Sequence, residues 1–266
     1  MEENDILVTR HGHVATVTMN RPNILNAMTE KHLNRLADIW REFRSDDTVR
    51  AVIMTANGRG FCSGADLRNI DMVKGKRRKP AIGMKEDWLS PLLEITKPTV
   101  AAVNGVAAGA GLAIALACDV RVSSEEARYS AIFANIAMPA IDGVTWMLPR
   151  IVGLSKALEM IMSADIIGAQ EAERIGLTSY VVPPELLMER AMELAAKFAT
   201  SAPVAVQLSK TMVYGNLNRS YSDHIEGSYY AGTVNRNFAQ HDLEEGQKAF
   251  REKRPPKFKG LAEPTE

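Results

Sequence analysis

The amino-acid sequence predicts an α/β fold, and three observations predict it. Short β-branched runs alternate with segments of helical periodicity as far as Gly153, a strand, glycine loop and apolar helix occur together twice, and helical spacing dominates from Ser155 onward.

The elements follow in order. Residues 6–9 and 13–19 read as two strands around a His11-Gly12 turn, with apolar residues alternating in the second. Arg21-Pro22 breaks the chain, and Thr29 is placed to N-cap a helix running through Leu33, Leu36, Ile39, Trp40 and Phe43. Ser45-Asp46-Asp47 ends that helix. Residues 50–55 form a short strand, and 57–60 the loop after it. The plan then repeats: a strand at 99–103, a turn at Asn104-Gly105, and a loop from Gly109 entering an apolar helix that reaches Ala117. Two more strands are expected at 119–123 and 127–130. Ser155 reads as the cap of the next helix, followed by helices at 169–175, 185–199, 203–214, 222–239 and 242–252. The last three leave apolar faces to be covered by the core or by another subunit.

Composition bounds the function. At 266 residues the chain accommodates one large α/β domain or two small ones, and its apolar and charged shares, 46% and 24%, are those of an ordinary globular protein. Lys plus Arg equals Asp plus Glu, 32 of each, so no global positive field exists to hold nucleic acid or an anionic membrane. The stretch 98–117 is nearly uncharged, but its Ala, Gly and Asn104 mark a buried strand, turn and helix rather than a membrane span. Two cysteines, Cys62 and Cys118, make neither a metal cluster nor a disulfide framework, and the acidic start lacks a signal peptide's basic and apolar regions. A cytoplasmic protein is expected. The charge run 74–79 reads either as a solvated loop or as a seat for phosphates.

Several motifs are decoys. Gly58, Gly60 and Gly64 follow a strand, but their spacing is not that of a dinucleotide-binding turn. Ser63 lacks the glycine spacing of a nucleophile elbow. His11 and His13 read as exposed hairpin residues, and no histidine set has metal-ligand spacing. What remains is a pair of glycine-containing loops, Phe61 to Leu67 and Asn104 to Gly111, each after a strand and before a helix. Small residues there let a ligand approach the backbone, and N–H groups at a helix start point outward without helical partners. Either two donor loops converge on one oxygen, or both are tight packing loops.

At these loops the sequence resembles the enoyl-CoA hydratase/isomerase (crotonase) superfamily, from about residue 6 to residue 260. Phe61-Cys-Ser-Gly-Ala-Asp-Leu67 is similar to the family's first oxyanion loop, and Ala101-Ala-Val-Asn-Gly-Val-Ala-Ala-Gly-Ala-Gly111 to its second. Arg21-Pro-x-x-x-Asn-Ala27, Leu148-Pro-Arg-x-Val-Gly153, Ala169-Gln-Glu-Ala-x-x-x-Gly-Leu177 and Glu245-Gly-x-x-Ala-Phe-x-Glu-Lys-Arg254 add four further matches. The resemblance implies a spiral of repeated ββα units over residues 1–200 that carries an acyl-CoA site. Residues 201–266 become a helical region for trimerisation that also covers the active site. It implies that the N–H groups of Ala65 and Ala110 grip a thioester oxygen so that an enolate forms. It places coenzyme A, part of the substrate and not a resident cofactor, near Ile24 to Ala27 and Gly64 to Leu67. Arg68 and the 74–79 run are candidates for its phosphates. Asp66 reads as the cap of a following helix, or as a proton carrier.

The sequence departs from the family where hydratases carry two glutamates. Ala113 stands at the first position and Phe133 at the second, and neither transfers protons. Asp142 is the candidate replacement. Gapless alignment puts Ile141 at the family's isomerase aspartate, so Asp142 serves as a proton shuttle only with a shifted loop; otherwise it N-caps the next segment. Trp88, Phe133 and Trp146 read as walls of a bulky apolar acyl pocket, or as core, and Ala113 is placed in the same pocket. The expectation is an isomerase, atypical hydratase or C–C hydrolase acting on acyl-CoA, with a non-catalytic acyl-CoA binder as the alternative. No metal, nucleic acid or membrane is implied, and a homotrimer or a dimer of trimers is.

Overall fold

The computed structural model describes residues 4–66 and 88–261. The hairpin forms as read, from β1 (Ile6–His11) and β2 (Val14–Met19), paired antiparallel from Ile6–Met19 to His11–Val14. Helix α1 (Glu30–Ser45) follows, with Thr29 at its N-cap and His32 completing a capping box. His32 is buried, with Nε2 2.9 Å from Asp5 Oδ2. Then come β3 (Ala51–Ala56), β4 (Gly60–Cys62) and α2 (Ser90–Glu94). The next unit is β5 (Thr99–Val103), β6 (Val106–Ala108) and α3 (Ala110–Ala117), and the third is β7 (Val120–Ser124), β8 (Arg128–Ser130) and α4 (Val144–Val152). Helix α5 (Leu154–Ser163), β9 (Ile167–Gly168), α6 (Ala169–Arg174), β10 (Tyr180–Val182) and α7 (Leu187–Thr200) complete the core.

Each unit gives a longer strand to one sheet and a short one to another. The first sheet runs β1-β2-β3-β5-β7-β10, and the second β4-β6-β8-β9. Beyond the β1–β2 hairpin the first sheet is parallel, which requires both faces to be covered. Alternation along the strands supplies both faces. Ala15, Val17, Val52, Met54, Ala101 and Val103 face a core shared with α1 and α3. Val14, Ala51, Ile53, Val100, Ala102 and Val122 face Leu187, Ala191 and Leu194 of α7. Every residue of α3 is buried, so the uncharged stretch 98–117 is indeed interior strand, turn and helix. Among the described residues no helix is long and apolar enough to cross a membrane.

One boundary needs correcting. Ser155 does not cap α5; Gly153 does, with φ 82° and ψ 161°, and it also ends α4. A chain that leaves one helix and enters another across a single residue needs positive φ there, which glycine accepts and serine resists.

Helices α8 (Pro203–Asn216) and α9 (Tyr221–Glu252) follow, the latter interrupted at Ala239, where φ and ψ leave the helical region; the sequence marked the same break as two helices. Asp119 ties α8 to the core, accepting from Lys210 Nζ at 2.7 Å and from Tyr214 Oη at 2.9 Å. After α9 the chain turns back: Asp242 accepts from the N–H groups of Lys259 and Gly260, and Arg50 donates to the carbonyls of Phe258 and Lys259. Tyr229 and Phe250 on α9 remain 75% and 86% exposed.

Candidate active site

The first loop is set by Asn26. Its backbone is left-handed (φ 55°), its Oδ1 accepts from Arg21 N, and its Nδ2 donates to Asn57 O and Gly60 O at 2.9 and 2.7 Å. One amide side chain thus joins the Arg21-Pro22 turn to the start of β4. Two residues later Met28 pairs with the loop itself: Met28 N donates to Gly64 O and Asp66 N donates to Met28 O. Those bonds use the groups on either side of Ala65. Its own N–H therefore points away from Met28.

The second loop ends at Gly109, whose φ of 53° and ψ of −119° turn the chain into α3 with Ala110 as first helical residue. An amide at that position has no acceptor within its helix. Neither the Ala65 nor the Ala110 amide finds a backbone acceptor among the described residues. The two loops touch. Gly64 has φ 108°, and a Cβ built on it would lie 3.1 Å from Ala108 O and 3.7 Å from Ala110 N. Gly111 packs tighter still, since a Cβ there would sit 2.0 Å from Cys62 O. Small residues on both strands are what bring the two amides to one place.

That place is the floor of a cavity of about 160 Å³, bordered by Gly64, Ala65, Gly109 and Ala110. Its walls are apolar: Ile132, Phe133, Ile136, Met138 and Ile141. Asp142 also lines it and is the one ionisable residue among the described residues that do. The amino-terminal end of α3 also meets the cavity at Ala110.

The structure separates the other candidates. Phe133 lines the cavity, whereas Ala113 is buried within α3 and does not border it. Trp88 is half-buried against the core and donates from Nε1 to Asp142 Oδ1 at 3.1 Å. Trp146 belongs elsewhere. Val144, Met147 and Leu148 form the buried face of α4, which turns Trp146 away, 37% exposed under the Arg150 guanidinium. It borders a second cavity with Asp119 and Tyr214. Ile141 and Asp142 both border the first cavity. Asp142 does not N-cap α4: Gly143 holds that position, with no side-chain cap bond. Asp66 is buried, 3.7 Å from Arg21 Nη2, and Ile24 and Ala27 are half-buried nearby. Leu67, Arg68, the 74–79 run and any helix capped by Asp66 lie outside the described residues.

Sequence reasoning missed Ile132, Ile136 and Met138 as cavity walls, and the bond between Trp88 and Asp142. No spacing signal joins residues on separate units.

The chain matches the family model described as enoyl-CoA hydratase/isomerase over residues 9–261. It is 37% identical to a short-chain-enoyl-CoA hydratase of Clostridium acetobutylicum, covering 96% of this chain and 97% of the relative. It is 35% identical to an (E)-benzylidenesuccinyl-CoA hydratase of Thauera aromatica, covering 93% and 96%. Among solved structures, an enoyl-CoA hydratase from Bacillus anthracis superposes with a TM-score of 0.88 at 32% identity, covering 96% of this chain and 99% of that one. By this match along its length, and by the fold that carries it, the chain belongs to the enoyl-CoA hydratase/isomerase family of the crotonase superfamily.

Proposed function

We propose that this protein is an acyl-CoA enzyme that holds a thioester oxygen between the N–H groups of Ala65 and Ala110 and moves protons with Asp142. The single observation that carries the reading is one cavity bordered by both amides and by that carboxylate. Backbone donors fixed before the reaction stabilise an enolate oxygen by about 3–4 kcal/mol each when removed one at a time, usually the largest contribution in such a site. Asp142 takes a proton from the carbon beside the thioester carbonyl and returns it further along the acyl chain. A single shuttling carboxylate suits double-bond isomerisation. Atypical hydration or C–C hydrolysis would use the same enolate with an added water.

The walls supply the selectivity. Ile132, Phe133, Ile136, Met138 and Ile141 favour a bulky apolar acyl group, cyclic or aromatic, and Phe133 and Ala113 leave no glutamate pair to activate water in the usual hydratase manner. Coenzyme A enters as part of the substrate, along Ile24, Ala27 and Asp66; Arg68 and the 74–79 run are the sequence candidates for its phosphates. Residues 1–200 are assigned to the catalytic core and 201–266 to oligomerisation, as a homotrimer or a dimer of trimers in the cytoplasm. The exposed aromatics of α9 support that assignment.

The test is a panel of enoyl-, dienoyl- and β-keto-cyclic-CoA thioesters. Turnover of at least one is expected, abolished by Asp142→Asn with thioester affinity nearly unchanged. Binding without reaction across the panel would instead identify a non-catalytic acyl-CoA binder.

A further inference from the structure

Trp88 and Asp142 are 54 residues apart in sequence, yet the indole Nε1 donates to Oδ1 at 3.1 Å. The contact is built into the fold on both sides. Leu89, next to Trp88, is buried, and its Cδ2 lies 3.4 Å from a Cβ built on Gly143, so this segment is seated against the turn that carries Asp142. Asp142 and Gly143 have φ of 54° and 71°, consecutive left-handed residues that lead into α4. Residues with a Cβ seldom adopt that backbone; Asp142 borders the cavity and does not hold the N-cap position of α4.

From this geometry we propose that Trp88 is a positioning residue that fixes the Asp142 carboxylate at the cavity wall and keeps it ready to accept a proton. The inference rests on the proton-carrying role proposed above for Asp142. An indole N–H donates and never accepts, so the bond favours the carboxylate over the carboxylic acid. Asp142 therefore starts the cycle as base. Its carboxylate takes the proton from the carbon beside the thioester carbonyl, and the C–H electron pair passes into the enolate held by Ala65 and Ala110. Return of a proton to carbon restores both groups, with no oxidant or further reactant. Among the described residues no other ionisable group borders this cavity, and Arg150, the cationic residue of α4, stacks on Trp146 and borders the second one.

Deuterium exchange tests this without knowledge of the physiological acyl group. Phenylacetyl-CoA is incubated in D2O with the full-length protein, and deuterium at the carbon beside the carbonyl is followed by mass spectrometry across a pD series. Wild-type protein is expected to exchange it, Asp142→Asn to lose exchange, and Trp88→Phe to slow it about 10- to 100-fold at saturating thioester. The acid limb of the Trp88→Phe profile is expected to move to higher pD, with KM little changed. That limb reports the carboxylate whatever fraction of the variant is folded. Exchange lost in Asp142→Asn but unchanged in rate and profile in Trp88→Phe would overturn the positioning role alone. Exchange that survives Asp142→Asn, or none in the wild type, would overturn the parent reading and this one together.

Discussion

Asp119 and Asp142 each border a cavity, and the chain holds the two carboxylates in opposite ways. Asp119 accepts from Thr99 N and Oγ1, Lys210 Nζ and Tyr214 Oη, all between 2.7 and 3.0 Å, and so pins three segments together. Burial, followed by the charge of Asp119, pushes the Tyr214 hydroxyl well above its usual range, so it stays a donor at any ordinary pH. Asp142 sits on a left-handed turn, accepts from Trp88 Nε1 at 3.1 Å and borders a cavity with apolar walls. A carboxylate surrounded by donors from its own fold secures structure. One that borders a cavity lacking any second ionisable group among the described residues is, on the function proposed above, the proton carrier.

The contrast can be broken at either end. The largest expected effect is on rate: Ala110→Pro deletes the N–H proposed as an oxyanion donor at the first position of α3, where proline is tolerated, and should lower kcat about 100- to 1000-fold. Its thermal midpoint should stay near that of the wild type, and a comparable loss of stability would show that the amide is structural. Asp119→Ala should do the reverse. Leaving Lys210 without its partner is expected to cost about 3 kcal/mol in denaturant unfolding, with the pH dependence of turnover unchanged in the protein that remains folded.

A smaller effect is expected on the C-terminal tail. Hydrogen bonds from Arg254, and then from the Lys257 amide, hold Glu245 at about 2, below its ordinary 4.5. Because the folded value is depressed, the contribution is complete above pH 4.5 and is lost as pH falls toward about 2. Hydrogen exchange at the Lys257 amide should therefore be protected at pH 5 and accelerate beyond its intrinsic pH trend near pH 3, and Glu245→Gln should remove the difference.

The longer elements were legible in the sequence because burial imposes a period on them. β2, β3, β5 and α1 show alternation or helical spacing over five residues or more. β4, β6, β9 and β10 have two or three residues each and fall outside the strands the sequence predicts, whereas β8, equally short, lies within the one expected at 127–130. α4 carries Pro149 inside it, which obscures its start and end in a propensity reading. At the site, the glycine loops suggest backbone donors, but their meeting at Gly64 and Ala108 depends on the parallel pairing of β4 with β6, which no spacing encodes. Trp146 was grouped with the pocket by its nearness to Asp142 in sequence. Helical rotation carries it to the other cavity.

The proposed chemistry depends on where the thioester oxygen sits. A crystal structure with a non-reacting acyl-CoA analogue bound should place that oxygen about 2.7–3.1 Å from both Ala65 N and Ala110 N, with the Asp142 carboxylate beside the adjacent carbon. An oxygen that lies against neither amide, with the acyl chain outside the cavity walled by Phe133 and Ile141, would contradict it.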